Sequence, residues 1–335
     1  MTIPAQASSG AGTAPSTRGR TIGVLIALTI VLAVVSVGAL LVGAAETSSV
    51  IVTEIRAPRI ALTLIVGAGL GISGALLQGT LRNPLADPGI IGVSASAALG
   101  AVIAVAIGAA YSSLLAAIGA TFMGLAGMAL VMWIARSASG RTEVVTLVLG
   151  GVAVTAFAAA VLSVVVAVSD TAGARSATFW TTGSLALATW PGFWTTLPFV
   201  IVAAILAAVV ARRLDLLSLG DRAAWASGVD VERTRVLALI GAVLAVSAGV
   251  AVVGVIAFVG LVVPHAVRML IGPRHGGVLM GSALAGALLL ITADTIARTI
   301  VSPVELPLGV VTAVIGAPAF IVLLRRTRAA QGGWA

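Results

Sequence analysis

The sequence predicts an all-α membrane protein of about ten transmembrane helices, with both termini in the cytoplasm. Apolar residues make up 60% of the 335 residues and charged residues only 9%, a composition that soluble domains of this length do not approach. The apolar residues also form long runs without charge, and a bilayer core about 30 Å thick needs roughly 20 helical residues per crossing. The runs extend over residues 21–45, 60–81, 88–135, 144–169, 176–211, 236–264, 276–293 and 306–324.

Three of these runs are too long for one helix or contain a helix-breaking segment. The run 88–135 is expected to divide at residues 109–113, where small and polar residues interrupt it. In the run 176–211, residues 179–184 suit the membrane interface, and the spanning helix is expected to begin near Pro191. The run from 236 is expected to divide at Gly254, with a second helix that continues to about Gly272. The two divisions raise eight runs to ten spans.

The positions of the arginines predict the orientation of the spans. All 19 cationic residues other than histidine are arginine, and short cytoplasmic loops carry the excess of positive charge. With the N-terminus inside, 15 arginines lie on the cytoplasmic side, and Arg56, Arg59, Arg175 and Arg298 lie outside. The expected organisation is a cytoplasmic tail at 1–20, one transmembrane domain at 21–328 and a tail at 329–335. A cleaved signal peptide is the alternative for the first run, which is longer than the usual signal core.

The composition excludes several kinds of chemistry within this chain. Without a lysine, the phosphate-binding loop GxxxxGK[ST] cannot form, so any ATP hydrolysis must occur on another polypeptide. The sequence has no cysteine, and its two histidines, His265 and His275, do not have the spacing of a metal site. We therefore expect a protein that is not an enzyme and needs no cofactor. Its net charge of +8 is a signal of topology and not of nucleic-acid binding.

The acidic residues argue against an ion-coupled secondary transporter, which is the main alternative class. Such transporters usually place titratable residues deep in the membrane, where each costs about 2.5–3.5 kcal/mol on insertion scales. Here nearly all acidic residues lie at helix ends or in loops. Asp294 is the exception, and an ion pair with Arg298, four residues later on the same helix, is the expected explanation.

The longest charged segment, residues 212–235, is expected to face the cytoplasm and to bind a partner protein. It combines charges of both signs with Leu214, Leu216, Leu217 and Trp225. A solvated loop has no need for a tryptophan and a leucine cluster between its charges, so short amphipathic helices that dock on another protein are the preferred interpretation. A fully solvated loop is the alternative.

Six segments, taken in order, are similar to one known family over nearly the whole chain after the N-terminal tail. They resemble the permeases of ATP-binding-cassette (ABC) importers for iron siderophores, haem and cobalamin, often called FecCD-type permeases. The segments are RAPR at 56–59, SGALLQGTLRNPLADPGIIGVS at 73–94, FWTTGSLALATW at 179–190, GVIAFVGLVVPHAVRMLIGPRHG at 254–276, ADTIAR at 293–298 and ELPLGVVTAVIGAPAF at 305–320.

The resemblance implies the partners of this chain. Two permease subunits, identical or different, would pair around a central pathway, and two ATP-binding subunits would bind them from the cytoplasm. A substrate-binding protein would dock on the outer face, where family members present arginines. The corresponding residues here are Arg56, Arg59 and Arg298. Anchoring of these arginines at the membrane interface is the alternative.

The same resemblance implies two sets of residues on the inner side. The inner gate would consist of Asn83, Leu85 and Thr142, although the two X-Pro pairs of the segment NPLADP demand a turn regardless of any gate. The segment 212–235 would contact the ATPase through small residues and a neighbouring leucine. These residues are Leu219, Gly220, Ala224 and Gly228.

The cargo implied by the resemblance is a ferric siderophore, with haem and cobalamin as alternatives. The expected location is the bacterial cytoplasmic (inner) membrane, which the chain would cross several times. Transport would proceed by alternating access without chemistry on the cargo. A loaded binding protein would dock outside, and ATP hydrolysis in the partner subunits would move the coupling segment and switch the pathway.

Overall fold

The computed structural model of the protein describes residues 17–43, 48–135, 144–169 and 177–330. These residues form twelve α-helices and contain no β-strand, in agreement with the predicted all-α class. A π-helical turn, Ile51–Arg56, leads directly into the second helix. The helices are α1 Thr17–Leu41, α2 Ala57–Thr80, α3 Val93–Ala106, α4 Leu114–Ala135, α5 Val144–Val168, α6 Ala177–Thr182, α7 Trp190–Leu217, α8 Asp221–Ala226, α9 Val231–Val253, α10 Val259–Ile271, α11 His275–Thr299 and α12 Leu308–Ala330.

Seven of the described helices are long and apolar enough to cross a membrane. They are α1, α2 together with the π-helical turn, α4, α5, α7, α9 and α11. Three shorter apolar helices, α3, α10 and the first part of α12, occupy the remaining apolar segments of the sequence. Length and composition therefore support a multi-pass membrane protein with seven spans of full length.

The predicted divisions of the long apolar runs are confirmed. Ala106 ends α3 and Leu114 begins α4, on either side of residues 109–113. Helix α9 ends at Val253, and Gly254 follows with a φ of 74°, a left-handed conformation that favours glycine. The chain therefore leaves the helix at this glycine and begins α10 five residues later.

Helix α2 is the central helix of the bundle, and its glycines allow neighbouring helices to approach closely. It packs against α7, α9, α10 and α11, and most of its side chains are buried. A β-carbon at Gly67 would lie 2.6 Å from the carbonyl oxygen of Gly286 on α11, and one at Gly71 would also collide with α11, at Ser282. The GxxxG spacing of Gly67 and Gly71 therefore forms a close helix contact.

The segment between α2 and α3 folds back against α10. In the last turn of α2, Nε2 of Gln78 donates a hydrogen bond to the carbonyl oxygen of Leu261 at 3.1 Å. Further along, Asp87 lies so close to Gly260 that a β-carbon on this glycine would be 2.8 Å from Oδ2 of Asp87. The NPLADP segment is therefore packed between the end of α2 and the beginning of α10.

Candidate docking and coupling sites

Arg59, near the beginning of α2, is the centre of an ion cluster on the side predicted to be external. Its Nη2 lies 2.8 Å from Oδ1 of Asp294 on α11, and its Nε lies 3.1 Å from both oxygens of the same carboxylate. Nη1 and Nη2 also donate to the two oxygens of Glu305, at 2.8 and 2.9 Å. The side chains of Arg59, Asp294 and Glu305 are 11%, 2% and 37% exposed. The guanidinium therefore joins a buried carboxylate to an exposed one, in the paired geometry that suits arginine.

Arg56 and Arg298 bind the C-terminal end of α1. Nη1 of Arg56 donates to the carbonyl oxygen of Leu40 at 2.8 Å, and Arg298 donates to the carbonyl oxygens of Ala39 and Val42. The last carbonyl groups of a helix have no partner within the helix and carry the negative end of its dipole. The two arginines thus cap a helix that is otherwise little buried in the bundle.

The structure brings together the three arginines that were predicted to dock a binding protein. All three are engaged by groups of this chain, and Arg56 is only 5% exposed. The expected contact between Asp294 and Arg298 is present at 3.8 Å, but the prediction missed the main partner of Asp294. That partner is Arg59, on a different helix, and the spacing rules for a single helix cannot reveal it.

The turn after α2 contains two of the three predicted gate residues. Asn83 is 8% exposed, and its Oδ1 accepts a hydrogen bond from the backbone N–H of Leu85 at 2.9 Å, a local contact typical of turns. Leu85 is 38% exposed, so its side chain is open to contact from outside the chain. Thr142, like the outer Arg175, lies outside the described residues.

Asp87 is a buried carboxylate in the same turn, to which the sequence assigned no role. Its Oδ1 accepts a hydrogen bond from the backbone N–H of Gly89 at 2.8 Å. Burial raises the pKa of Asp87 to about 6, against the opposing effect of backbone hydrogen bonds from Gly89 and Ile90. The described residues include no cation in an ion pair with Asp87, so the charged form of this carboxyl group is costly in the fold.

The residues predicted to contact an ATPase lie within α8 or next to its two ends. Gly220 precedes this helix with a φ of 113° and Gly228 follows it with a φ of 80°, so both glycines set the path of the chain. Ala224 is fully buried and anchors α8 on the bundle, whereas Leu219 and Trp225 are 72% and 77% exposed. The large apolar side chains exposed at this short helix are therefore Leu219, just before it, and Trp225, within it, while Gly228 is also exposed and Ala224 is covered.

Asp221, the first residue of α8, is shared by two arginines. Nη2 of Arg82, in the turn after α2, lies 3.0 Å from Oδ1 of Asp221. Nη2 of Arg235, on α9, lies 2.9 Å from both carboxylate oxygens. A second contact on the side predicted to be cytoplasmic joins Nδ1 of His275 on α11 to Oδ1 of Asp215 on α7 at 2.8 Å. None of these contacts could be predicted from the sequence, because the paired residues lie on elements that only the folded bundle brings together.

The apolar helices and the polar clusters at their ends define a multi-pass membrane protein. The described residues contain no group of three or more histidine, cysteine, aspartate or glutamate side chains that could hold a metal ion. The chain belongs to the FecCD transport family, which it matches over residues 20–326. This match extends from the first helix into the last one and includes all six motifs described above.

Named relatives are similar to this chain over most of its length. It is 39% identical to the hemin transport system permease protein HmuU of Yersinia pestis, over 84% of each chain. It is 43% identical to the cobalamin import system permease protein BtuC of Halobacterium salinarum, over 84% of this chain and 75% of the relative. It is 42% identical to the Fe(3+) dicitrate transport system permease protein FecD of Escherichia coli, over 83% and 86%.

Solved structures with the same fold include an inward-facing metal-chelate-type ABC transporter. The match to that structure has a TM-score of 0.80 at 33% identity and covers 91% of this chain and 99% of the other. PsaBC from Streptococcus pneumoniae matches with a TM-score of 0.56 at 14% identity, over 79% and 89% of the two chains. The second likeness concerns the fold alone.

Proposed function

We propose that this chain is the transmembrane permease subunit of an ABC importer and that its cargo is a ferric siderophore. The observation that carries the proposal is the match to the FecCD transport family over residues 20–326. The similar proteins are named for hemin, cobalamin, ferric citrate and ferric hydroxamates, and names with ferric chelates predominate among them. Hemin and cobalamin are the second candidates.

The proposed topology has ten crossings, with both termini in the cytoplasm of the cell and the chain in the bacterial inner membrane. Seven long and three short apolar helices support the count. The excess of arginine on the side of the N-terminus supports the orientation. In this topology α8 faces the cytoplasm, and the cluster around Arg59 faces outward.

The proposed partners are a second permease subunit, two ATP-binding subunits and a substrate-binding protein. A chain without lysine cannot form the usual phosphate-binding loop, so it requires an ATPase from another polypeptide. The exposed Leu219, just before α8, and Trp225, within α8, supply the apolar surface for that contact. Gly220, Ala224 and Gly228 then act as positioning residues, because they set the path and the seat of α8.

The proposed docking site for the binding protein is the external surface at Arg59 and Glu305. Glu305 is the exposed partner of Arg59, and an acidic side chain of a binding protein can compete with it for the same guanidinium. Arg56 and Arg298 support the site by holding α1 beside α2 and α11. All three predicted arginines thus contribute to docking, but only Arg59 contacts the binding protein directly.

Transport itself is proposed to follow alternating access, with Asn83, Leu85 and Thr142 at the inner gate. The turn that holds Asn83 and Leu85 packs on α10 and connects α2 to α3, so a shift of these helices displaces the gate. The chain contributes the pathway and the coupling surface. It carries out no chemistry on the cargo.

The test of this function is uptake into proteoliposomes that contain the permease, its ATPase and its binding protein. The probes are ⁵⁵Fe-ferrichrome, hemin and cyanocobalamin, each offered with and without ATP. ATP-dependent uptake of ferrichrome supports the full proposal. Preferential uptake of hemin or cyanocobalamin retains the importer and changes the cargo, whereas uptake driven by a proton or sodium gradient without ATP replaces it with a secondary transporter.

Docking is tested separately with Glu305→Gln, which removes the internal competitor for Arg59. We expect this change to tighten the binding of the binding protein to the reconstituted permease, as measured by surface plasmon resonance. Glu54→Gln, at an exposed glutamate of the π-helical turn, is the matched control. Unchanged or weaker binding after Glu305→Gln would remove Arg59 from the docking surface.

A further inference from the structure

Helix α8 is tied by charge to two different parts of the bundle. Asp221 begins the helix and contacts Arg82 on one side and Arg235 on the other. Arg82 immediately precedes Asn83 in the turn after α2, whereas Arg235 belongs to the long helix α9. A single carboxylate therefore connects the segment proposed to meet the ATPase with the turn proposed to hold the gate.

The backbone of Arg82 has a conformation that is unusual for an arginine. Its φ is 49°, in the left-handed region that side chains other than glycine, asparagine and aspartate rarely adopt. The N–H of the next residue, Asn83, donates to the carbonyl oxygen of Gln78, which is how a left-handed residue closes a helix. Glycine is the usual residue at such a position. An arginine here is explained by the contact of its guanidinium with Asp221.

The surroundings of Asp221 allow its contacts to break and form again. The side chains of Arg82, Asp221 and Arg235 are 41%, 46% and 26% exposed. Arg82 and Asp221 border an open recess of about 490 Å³, which is also lined by Leu219 and Arg222. Because water reaches all three groups, each ion pair exchanges at small cost in free energy. The ion pairs of Asp221 with Arg82 and Arg235 are thus suited to contacts that rearrange rather than to a permanent link.

We infer that Asp221 transmits displacement of α8 to the inner turn through Arg82, with Arg235 holding the same carboxylate to α9. The inference rests on the proposed function, because it assumes that an ATPase moves α8. Arg82 and Asp221 are positioning residues in this scheme. They act on Asn83 and Leu85 through the backbone of the turn and do not touch the cargo.

The absence of cysteine from the sequence allows a direct test in the assembled complex. Leu85→Cys places a single thiol on the exposed gate residue, and the rate of its modification by a maleimide is measured without nucleotide and after trapping with ATP and vanadate. Arg82→Asn in this background keeps a residue that accepts the left-handed backbone but removes the ion pair. Arg82→Gly is the second variant, for the case in which Arg82→Asn does not assemble.

We expect ATP and vanadate to change the labelling rate of Leu85→Cys. Arg82→Asn is expected to reduce this change by about twofold to fivefold, which is the effect of losing one exposed ion pair. Asp221→Asn is expected to reduce it at least as much. Arg274→Gln, which removes an exposed arginine just before α11 and outside the segment 212–235, is the matched control and is expected to leave the change intact. Retention of the ATPase is measured on the same samples.

Three results would overturn the inference, and they are distinguishable. If the change in labelling in Arg82→Asn or Arg82→Gly is as large as in the Arg274→Gln control, Arg82 does not transmit movement. Loss of the ATPase from the Arg82 variants would assign this residue to docking. Absence of any nucleotide effect in the Leu85→Cys parent, with no ATPase retained, would reject the proposed function itself.

Discussion

The ion clusters at the two ends of this permease, which are outer and inner in the proposed topology, contain the same kinds of groups in opposite environments. On the outer side the side chains of Asp294 and Arg59 are 2% and 11% exposed. On the inner side those of Asp221 and Arg82 are 46% and 41% exposed. Removal of one partner from a buried pair leaves an uncompensated charge, whereas water and salt screen an exposed pair.

The difference indicates that the two ends of the bundle have different mechanical roles. The outer cluster joins α2 to α11 through Arg59, and the caps on α1 add a third helix to the same unit. The inner cluster joins a six-residue helix to a turn and to α9 through contacts that exchange readily. In the proposed topology, in which an ATPase drives the permease from the cytoplasm, this distribution gives a fixed outer end and a movable inner end.

The largest effect that the comparison predicts is that of Asp294→Ala. The change leaves Arg59 with only its exposed partner, and loss of one member of a buried pair lowers the free energy of unfolding by about 3–5 kcal/mol. Chemical denaturation of the purified permease in detergent measures this loss. Glu305→Gln is the matched control and is expected to cost at most about 1 kcal/mol. Equal effects of the two changes would contradict the distinction between buried and exposed partners.

A second effect concerns Asp87, whose buried carboxyl group has no cationic ion-pair partner among the residues that the structure describes. Burial raises its pKa to about 6 in the folded protein, from an ordinary value near 4. The folded state then binds the proton more tightly than the unfolded state, so the stability that this group contributes is full below about pH 4 and is lost as the pH rises through about 6.

Asp87→Asn is therefore expected to raise the free energy of unfolding at pH 7.5 by up to about 3 kcal/mol. The difference from the unmodified protein should shrink as the pH falls from about 6 to about 4. Unfolding measured at four pH values across this range tests the prediction. A destabilised Asp87→Asn variant would show that an unidentified group pairs with the charged carboxylate.

A smaller and local effect is expected from Arg298→Gln. The change removes charged hydrogen bonds to the carbonyl oxygens of Ala39 and Val42, and bonds of this kind each contribute about 1.5–3 kcal/mol. Hydrogen exchange at the C-terminal turn of α1 should accelerate by about tenfold or more. Arg20→Gln, near the other end of α1, is the control. Unchanged exchange would mean that Arg298 does not cap this helix.

The smallest effect is expected from Arg235→Gln on the inner side. Its ion pair with Asp221 is partly exposed, so the free energy of unfolding should fall by less than about 1 kcal/mol. The loss should nearly vanish in about 1 M salt, where the Debye length is about 3 Å. A loss that persists at high salt would place this pair with the buried outer cluster and would weaken the comparison.

Much of the fold could be predicted from the sequence, because the bilayer acts on each segment separately. The length of an apolar run determines whether it can cross, and this property is local. The breaks at 109–113 and at Gly254 were predicted for the same reason, since turn residues and glycine act within a few positions of themselves. The family was also evident from short motifs in order, and the match over residues 20–326 confirms it.

The candidate sites were predicted less completely. The motif RAPR and the segment ADTIAR indicated which outer arginines belong together. They did not indicate that Arg59 forms ion pairs with Asp294 and Glu305. Ala224 was assigned to the ATPase surface, and the structure places it fully inside the bundle, with Leu219 and Trp225 exposed beside it. A sequence shows that a helix is amphipathic, but a helix of six residues is too short to show which face is covered.

The sequence by itself thus determined the all-helical class, the apolar segments, the positions of the main breaks and the family. Only the tertiary structure decided that Asp294 pairs with Arg59 and that Asp221 joins Arg82 to Arg235. It also decided that Asp87 is buried with no cationic partner among the described residues. The physical reason is the range of the interactions. Transfer of a segment into the bilayer depends on its own residues, whereas charge pairing depends on the close approach of helices that are distant in the chain, and the packing of the whole bundle decides that approach.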